Sequence, residues 1–278
     1  MERTAAMATQ QEKIATFRAL HESGCFVIAN AWDAGSAKVL AGLGFPALAT
    51  SSGASAGILG RRDGQVTREE ALQHARDVVA ATDLPVSADL EKGFGDTPEA
   101  ASETIRLAAG VGLVGGSIED ASGDPARPLF DYGLTVERIA AAVEAARASG
   151  FGFVLTARTE NFLRGNPSLD DTIRRLKAFE DAGADVLMAP GLPDLDSVRA
   201  VCAALSKPFN FMAGIPGKSF PVPALAEAGV KRVSLAGSLF RAAMTAVVAA
   251  ATEVRDTGTF GYLDTTLTTA GLNKFMRD

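Results

Sequence analysis

The feature that most constrains this 278-residue chain is a joint that recurs along it: an amphipathic segment ends in Ala, Ser or Leu, a glycine follows, and a β-rich run begins at once. It occurs at Gly24, Gly44, Gly110, Gly150, Gly183 and Gly229. A glycine there closes a helix in the left-handed conformation and lets the chain turn straight into a strand. At Leu84-Pro85 and Lys207-Pro208 a proline makes the stop instead, because its ring and missing N–H cannot continue a helix. The eight runs that follow are CFVIAN, FPALAT, PVSAD, VGLVGGSI, FGFVLTA, ADVLMA, PFNFM and VKRVSLA. All are short and apolar, as strands buried on both faces are. Between them lie helical patterns, such as Ile105 and Leu107 after Thr97-Pro98-Glu99, and Val136, Ile139 and Val143 after Leu134-Thr135.

Strands alternating with helices imply parallel pairing, and eight units in roughly 250 residues predict an α/β fold of the closed (β/α)8, or TIM barrel, type. An open doubly wound sheet is the alternative arrangement of the same units. The expected organisation is one domain. Residues 1–257 form the barrel, with an N-terminal helix carrying Ile14, Phe17 and Leu20 across its bottom, and residues 258–278 form a C-terminal helical tail. The tail is apolar at Phe260, Tyr262, Leu263, Leu267, Leu272 and Phe275, so it either covers its own barrel or docks on a neighbouring subunit.

Composition excludes several functions. A net charge of −6 without clustered Lys and Arg argues against a nucleic-acid partner. The longest apolar run, near Ala242 to Ala251, is too short to span a bilayer, and MERTAAMATQQEK has no apolar leader core. The expectation is a cytoplasmic protein acting on small molecules. Cys25 and Cys202 read as small core hydrophobes rather than a disulfide framework. His21 and His74 read as packing or surface residues.

In such a barrel the active site forms at the C-terminal ends of the strands. Polar residues gather there: Asn30 to Asp33, Thr50-Ser51-Ser52, Asp89 and Glu91, Ser117 to Asp120, Thr156 to Glu160, Asn210, and Ser234 with Ser238. Residues two apart on a strand share a face, so Asp89 and Glu91 are expected to point into the mouth beside Glu119. Three close carboxylates need a divalent cation or protonation to coexist, and all-oxygen ligands favour Mg²⁺ or Mn²⁺ over Zn²⁺. Arg158 either binds a substrate carboxylate or phosphate bidentately or serves the acidic ring as an ion pair. Asn30 and Asp33 are read as caps of the following helix. The small-residue loop from Ser51 to Gln65 lets backbone N–H groups approach an anion, and Asp63 within it is either an acid-base residue or a turn residue. This set suits a small 2-oxo acid whose oxygens chelate the metal and whose enolate is stabilised when a neighbouring bond breaks.

From about Phe17 to the C-terminus the chain resembles the isocitrate lyase and phosphoenolpyruvate mutase superfamily. The carriers are NAWDAGSAKVL, ATSSGASAGILGRRDGQ, SADLEKGFGD, GGSIEDAS, LTARTENFL, FNFMAG and RVSLAGSLFRAA. The resemblance implies that Asp89 and Glu91 hold Mg²⁺ directly or through water, and that Glu119 completes the shell through water. It implies that Thr50, Ser51 and Ser52 grip the substrate carboxylate, that Asp89, Arg158 and Asn210 bind substrate, and that Asp63 lies near the reacting group. Arg241 matches an arginine that 2-methylisocitrate lyase uses for its second product, or is a surface residue. The family's final helix swaps between subunits of a dimer of dimers, which favours a homotetramer.

Three departures accompany these matches. The loop after strand four, DASGDPARPLFDYGL, holds no Cys, Lys or His where the lyases and mutases carry acid-base residues. Pro190 replaces the lyase glutamate after strand six, and the late histidine of the decarboxylases is absent. The expected activity is a Mg²⁺-dependent C–C lyase acting on a small 2-oxo acid or dicarboxylate through an enolate. The alternatives are P–C bond chemistry of the phosphonomutase type, as in carboxyvinyl-carboxyphosphonate phosphorylmutase, and a non-catalytic 2-oxo acid binding barrel.

Overall fold

The computed structural model describes residues 8–276; residues 1–7, which carry part of the leader reading, and 277–278, the end of the tail, lie outside the described residues. In chain order the elements are α1 (Gln10–Ala19), β1 (Phe26–Asn30), α2 (Ala34–Gly42), β2 (Leu48–Ala49), α3 (Ser52–Ile58), α4 (Arg68–Ala80), β3 (Val86–Asp89) and α5 (Pro98–Gly110). There follow β4 (Gly115–Glu119), α6 (Tyr132–Ala148), β5 (Val154–Arg158), α7 (Leu169–Asp181), β6 (Val186–Met188) and α8 (Leu195–Ala204). The chain ends with β7 (Phe209–Met212), α9 (Val222–Glu227), β8 (Arg232–Ser234), α10 (Ser238–Thr257) and α11 (Thr269–Asn273).

All eight expected runs are strands, each paired in parallel with the next, and β8 closes on β1. The closed (β/α)8 barrel therefore stands and the open sheet does not. The expected helix stops hold at Gly24, Gly44, Gly150, Gly183 and Gly229, which all have positive φ. The sixth moves: Gly110 is the last residue of α5, and the left-handed turn falls at Gly112, with φ 93°.

Strand alternation sorts the barrel into layers. On β5, Leu155 and Ala157 join the main core beneath the helices, while Val154, Thr156 and Arg158 face inward. The interior thus runs from apolar at the bottom, through hydroxyls, to charge at the mouth. The floor is apolar because α1 plugs it, as its sequence predicted: Ile14 and Phe17 pack with Phe26, Ile28, Val114, Val154 and Val186. Gly115 makes the plug fit, since a Cβ there would lie 2.6 Å from the Val154 carbonyl oxygen and 3.2 Å from the Phe17 ring.

Above the plug lies a buried polar cluster. Arg232 donates from Nε to Asn210 Oδ1 (2.7 Å), from Nη2 to Thr156 Oγ1 (2.8 Å), and from Nη1 toward His21 Nε2 (3.3 Å). His21 Nδ1 lies 2.7 Å from the Phe17 carbonyl oxygen. Both histidines are packing residues, His74 bonding Ser55 and the Trp32 carbonyl. Both cysteines are free.

The C-terminal segment differs from the rest. α10 has no buried residue, and it exposes Met244, Val247 and Val248, followed by Phe260, Leu263 and Leu267 of the tail. The tail's end nevertheless meets its own barrel, with the Phe275 ring against Gly42 of α2. No helix among the described residues is long and apolar enough to cross a membrane.

Candidate functional site

The mouth is assembled from the ends of β2 to β5. Asp89 Oδ2 accepts the Ser52 N–H and Oδ1 accepts the Glu91 N–H, both at 3.2 Å. Sequence spacing placed Asp89 and Glu91 on one strand face, but β3 ends at Asp89, so alternation does not carry Glu91. A turn does: Glu91 has φ 50°, Gly93 85° and Phe94 56°. A left-handed glutamate and phenylalanine cost on the order of 1–3 kcal/mol each and persist only where their surroundings over-determine them. Here the surroundings are buried Arg138, whose guanidinium stacks on Phe130 and donates to the carbonyls of Lys92, Gly95 and Thr97, and Thr104, which bonds the Gly93 carbonyl. The turn delivers Glu91 to a cavity of about 680 Å³ shared with Asp63, Glu119 and Arg158. The Glu119 N–H donates to the Glu91 carbonyl (3.0 Å), tying the two carboxylates to adjacent strands.

Burial pushes the Glu91 carboxyl up to about 7, with repulsion from Asp89 and Asp63 adding to it and Lys92 partly opposing. Burial also pushes Glu119 up, against the pull of Arg158 and with repulsion from Glu160 and Asp89. Among the described residues no three His, Cys, Asp or Glu side chains group tightly enough to hold a metal ion by themselves.

Arg158 lies opposite Glu119 in the β4–β5 register. Its Nε is 2.6 Å from Glu160 Oε1 and 3.4 Å from Glu119 Oε2. Burial alone would lower its pKa, yet Glu119, Glu160 and Asp89 outweigh that and hold it protonated. No hydrogen bond among the described residues engages its two terminal nitrogens, so the fork stays available. Glu160 and its second partner, Arg164, were not singled out from sequence. The signal for Glu160 was its place in the polar run Thr156 to Glu160 at the end of β5, two residues past Arg158.

The remaining expected residues fall around these. Thr50 Oγ1 accepts the Asp89 N–H (3.2 Å), and buried Ser51 stands at the N-cap of α3 without a side-chain cap bond. Asp63, on the loop between α3 and α4, rests against the first turn of α3, 3.4 Å from where a Cβ on Gly53 would be. Asn210 is fully buried in the lumen, bonding Arg232 and Ser234. Arg241 is exposed at the start of α10, donates to the Gly214 carbonyl (2.6 Å), and lines a second mouth cavity of about 540 Å³ with Ser51, Asp63 and Arg158. Asp33 caps α2 as expected, but Asn30 does not. It bridges β2 and β8 instead, from Nδ2 to the Thr50 carbonyl (2.7 Å) and from Oδ1 to the Leu235 N–H (2.9 Å).

The loop after β4 folds on itself through an antiparallel bridge between Ala121 and Leu129. Its root is rigid. Buried Asp120 accepts from the Glu160 N–H (2.8 Å), Thr159 Oγ1 (2.8 Å) and Arg175 Nη1 (3.1 Å), which locks the strand ends carrying Glu119 and Arg158 together.

The fold is a closed (β/α)8 barrel whose mouth brings several buried carboxylates together with an arginine. The sequence profile of the phosphoenolpyruvate phosphomutase family matches residues 17–255. The chain belongs to that family, within the phosphoenolpyruvate mutase/isocitrate lyase superfamily of lyases and mutases. A solved structure from Burkholderia cenocepacia J2315, provisionally described as a lyase/mutase, is 51% identical with a TM-score of 0.94, covering 96% of this chain and 97% of that one. Oxaloacetate decarboxylase of Paraburkholderia xenovorans is 31% identical over 238 residues, 82% of this chain and 77% of that protein. The structure of a 2,3-dimethylmalate lyase is 26% identical with a TM-score of 0.86, covering 98% of this chain and 96% of that one.

Proposed function

We propose that this protein is a Mg²⁺-dependent lyase that cleaves a C–C bond in a small 2-oxo acid or dicarboxylate and leaves an enolate. The observation that carries the reading is the convergence of Asp89, Glu91 and Glu119 with Arg158 at one mouth. Their chemistry fits the cation: all donors are oxygens, and two of the carboxyls are pushed toward protonation by burial and mutual repulsion that a cation would relieve. The lack of a tight three-ligand group is compatible with Mg²⁺, which usually keeps several waters. Asp89 and Glu91 would hold it, with Glu119 reaching it through water. When bound, Mg²⁺ supplies Lewis-acid polarisation of the 2-oxo group.

The chain's own residues do the rest. Arg158 orients the substrate carboxylate with its free terminal nitrogens. Ser51 and Ser52 line the same cavity, and Asp63 delivers a proton to the enolate carbon after the C–C bond has broken. The similarity to an oxaloacetate decarboxylase and to a 2,3-dimethylmalate lyase, enzymes of small carboxylic acids, supports the reading.

The family profile favours one second reading, P–C bond chemistry on a phosphonopyruvate-like compound. One incubation separates the two. With Mg²⁺ saturating, a panel of 2-oxo acids, hydroxy-dicarboxylates and phosphonates is followed by ¹H and ³¹P NMR. The reading predicts carbon products from at least one carboxylic acid, lost on chelation. Turnover of phosphonates alone contradicts it in favour of the second reading, and no turnover at all contradicts both.

We further propose that the protein works in the cytoplasm as a homo-oligomer, a dimer of dimers, in which α10 and the tail pack on a neighbour. The support is the row of exposed apolar residues along α10. A monomeric mass by light scattering would contradict it.

A further inference from the structure

Arg164 stands in the turn that follows β5. The turn itself is firmly built: the N–H groups of Leu163 and Arg164 both donate to the Glu160 carbonyl (2.9 Å each), and Asn161 Nδ2 donates to Asp171 Oδ2 (3.0 Å). From this base the side chain reaches back over the mouth, with Nε 3.3 Å from Glu160 Oε2 and Nη2 3.9 Å from Glu119 Oε1. Its hold there is loose. The 3.3 Å approach is not aligned as a hydrogen bond, and buried Glu160 Oε2 has no hydrogen-bond partner among the described residues. The Arg164 side chain is 47% exposed, against 12% for Arg158. Its carboxylate partners are buried, but both contacts are long or unaligned and Arg158 also holds Glu160, so an incoming anion that accepts aligned hydrogen bonds from the exposed guanidinium can take it over.

Its placement says which anion. Arg164 lines both mouth cavities, and the one of about 540 Å³ continues past Arg158 to Leu163, Met212 and Phe240. Six carboxylates, Asp63, Asp89, Glu91, Glu119, Asp124 and Glu160, border these cavities and repel a substrate carrying two negative charges. Arg158 is committed to two of them, and Arg241 has a terminal nitrogen on the Gly214 carbonyl. Arg164 is the guanidinium at the rim that no aligned side-chain hydrogen bond among the described residues retains.

We infer that Arg164 is a specificity-determining residue that grips the second, distal anionic group of the substrate, so that the site selects extended dianions over compact ones. The inference rests on the proposed 2-oxo acid site and adds a residue that neither the fold nor the family match assigns. Arg158 fixes the inner carboxylate, while Arg164 leaves Glu160 to meet the outer one.

The test is isothermal titration of the full chain with saturating Mg²⁺ and two probes. Oxalate has directly joined carboxylates and cannot reach the rim; 2-oxoglutarate carries a distal carboxylate. Arg164→Met is expected to weaken 2-oxoglutarate about tenfold or more, the range of one charge-assisted contact, and oxalate less than about twofold. Arg164→Lys should restore part of the difference, and an unchanged Tm should show that the half-exposed position is not needed for folding. Equal loss for both probes, no loss for either, the selective loss appearing in Arg241→Met instead, or wild-type binding of oxalate without 2-oxoglutarate would each overturn the inference alone. Failure of wild type to bind either probe would overturn the parent reading and this inference with it.

Discussion

Two guanidiniums lie inside the same barrel and on the same row of the sheet, yet they occupy opposite electrostatic worlds. Arg158 on β5, Met188 on β6, Asn210 on β7 and Arg232 on β8 are successive partners in the strand register. At the mouth, Arg158 is flanked by Glu119 and Glu160, which keep it charged. Just above the apolar floor, Arg232 has neutral hydrogen-bond partners among the described residues, Asn210, Thr156 and His21, and burial pulls its pKa down to about 9. The mouth therefore concentrates paired charge next to solvent-filled space, and the floor satisfies hydrogen bonds without offering a counter-ion. The difference separates a region built to meet a ligand from one built to close a barrel.

Breaking the mouth should have the larger effect. Arg158→Met removes the substrate fork and leaves two carboxylates without their partner; we expect kcat/KM to fall by about 10²–10³-fold and unfolding free energy to drop by about 3–5 kcal/mol. Steady-state kinetics and denaturant titration check both. Arg232→Met removes an uncompensated charge and frees Asn210 Oδ1 and Thr156 Oγ1, so its stability change should stay within about 1–2 kcal/mol. Equal destabilisation by the two substitutions would erase the contrast.

A smaller effect sharpens the floor's side of the comparison. Burial, with Arg232 and Arg18 adding to it, pushes His21 down to about 3. Its folded value thus lies below the unfolded one of about 6.5, and below that pH the unfolded chain binds more protons. His21 costs nothing above pH 6.5 and progressively weakens the fold as pH falls from 6.5 toward 3. Wild type should therefore lose stability relative to His21→Leu over that window, by about 1 kcal/mol per pH unit. A stability difference between the two that stays flat from pH 7 to 4 would contradict the account.

The layout of the mouth was legible because it depends on period-two alternation and on where strands stop. Eight apolar runs behind glycine or proline joints specify the barrel, and the polar residues at their ends mark its mouth. What was not legible depends on side chains reaching across the fold. Glu91 arrives through a left-handed turn that Arg138 stabilises from α6, a contact with no local signature. Asn210 reads as a site residue because it is the polar residue of β7 and matches a substrate-binding position of the superfamily; its amide bonds Arg232 and Ser234, contacts that its sequence position does not announce. Arg164 lies in a polar turn where an arginine looks solvated, and only its reach to Glu160 and Glu119 distinguishes it.

The most direct test of the central claim, that the mouth carboxylates form a Mg²⁺ site serving Arg158, is calorimetric titration of Mg²⁺ into the protein with oxalate present. The account predicts one Mg²⁺ per chain in wild type, and loss of that binding in the Asp89→Asn/Glu91→Gln double variant while Arg232→Met retains it. Undiminished Mg²⁺ binding by the double variant, or no binding by wild type, would contradict it.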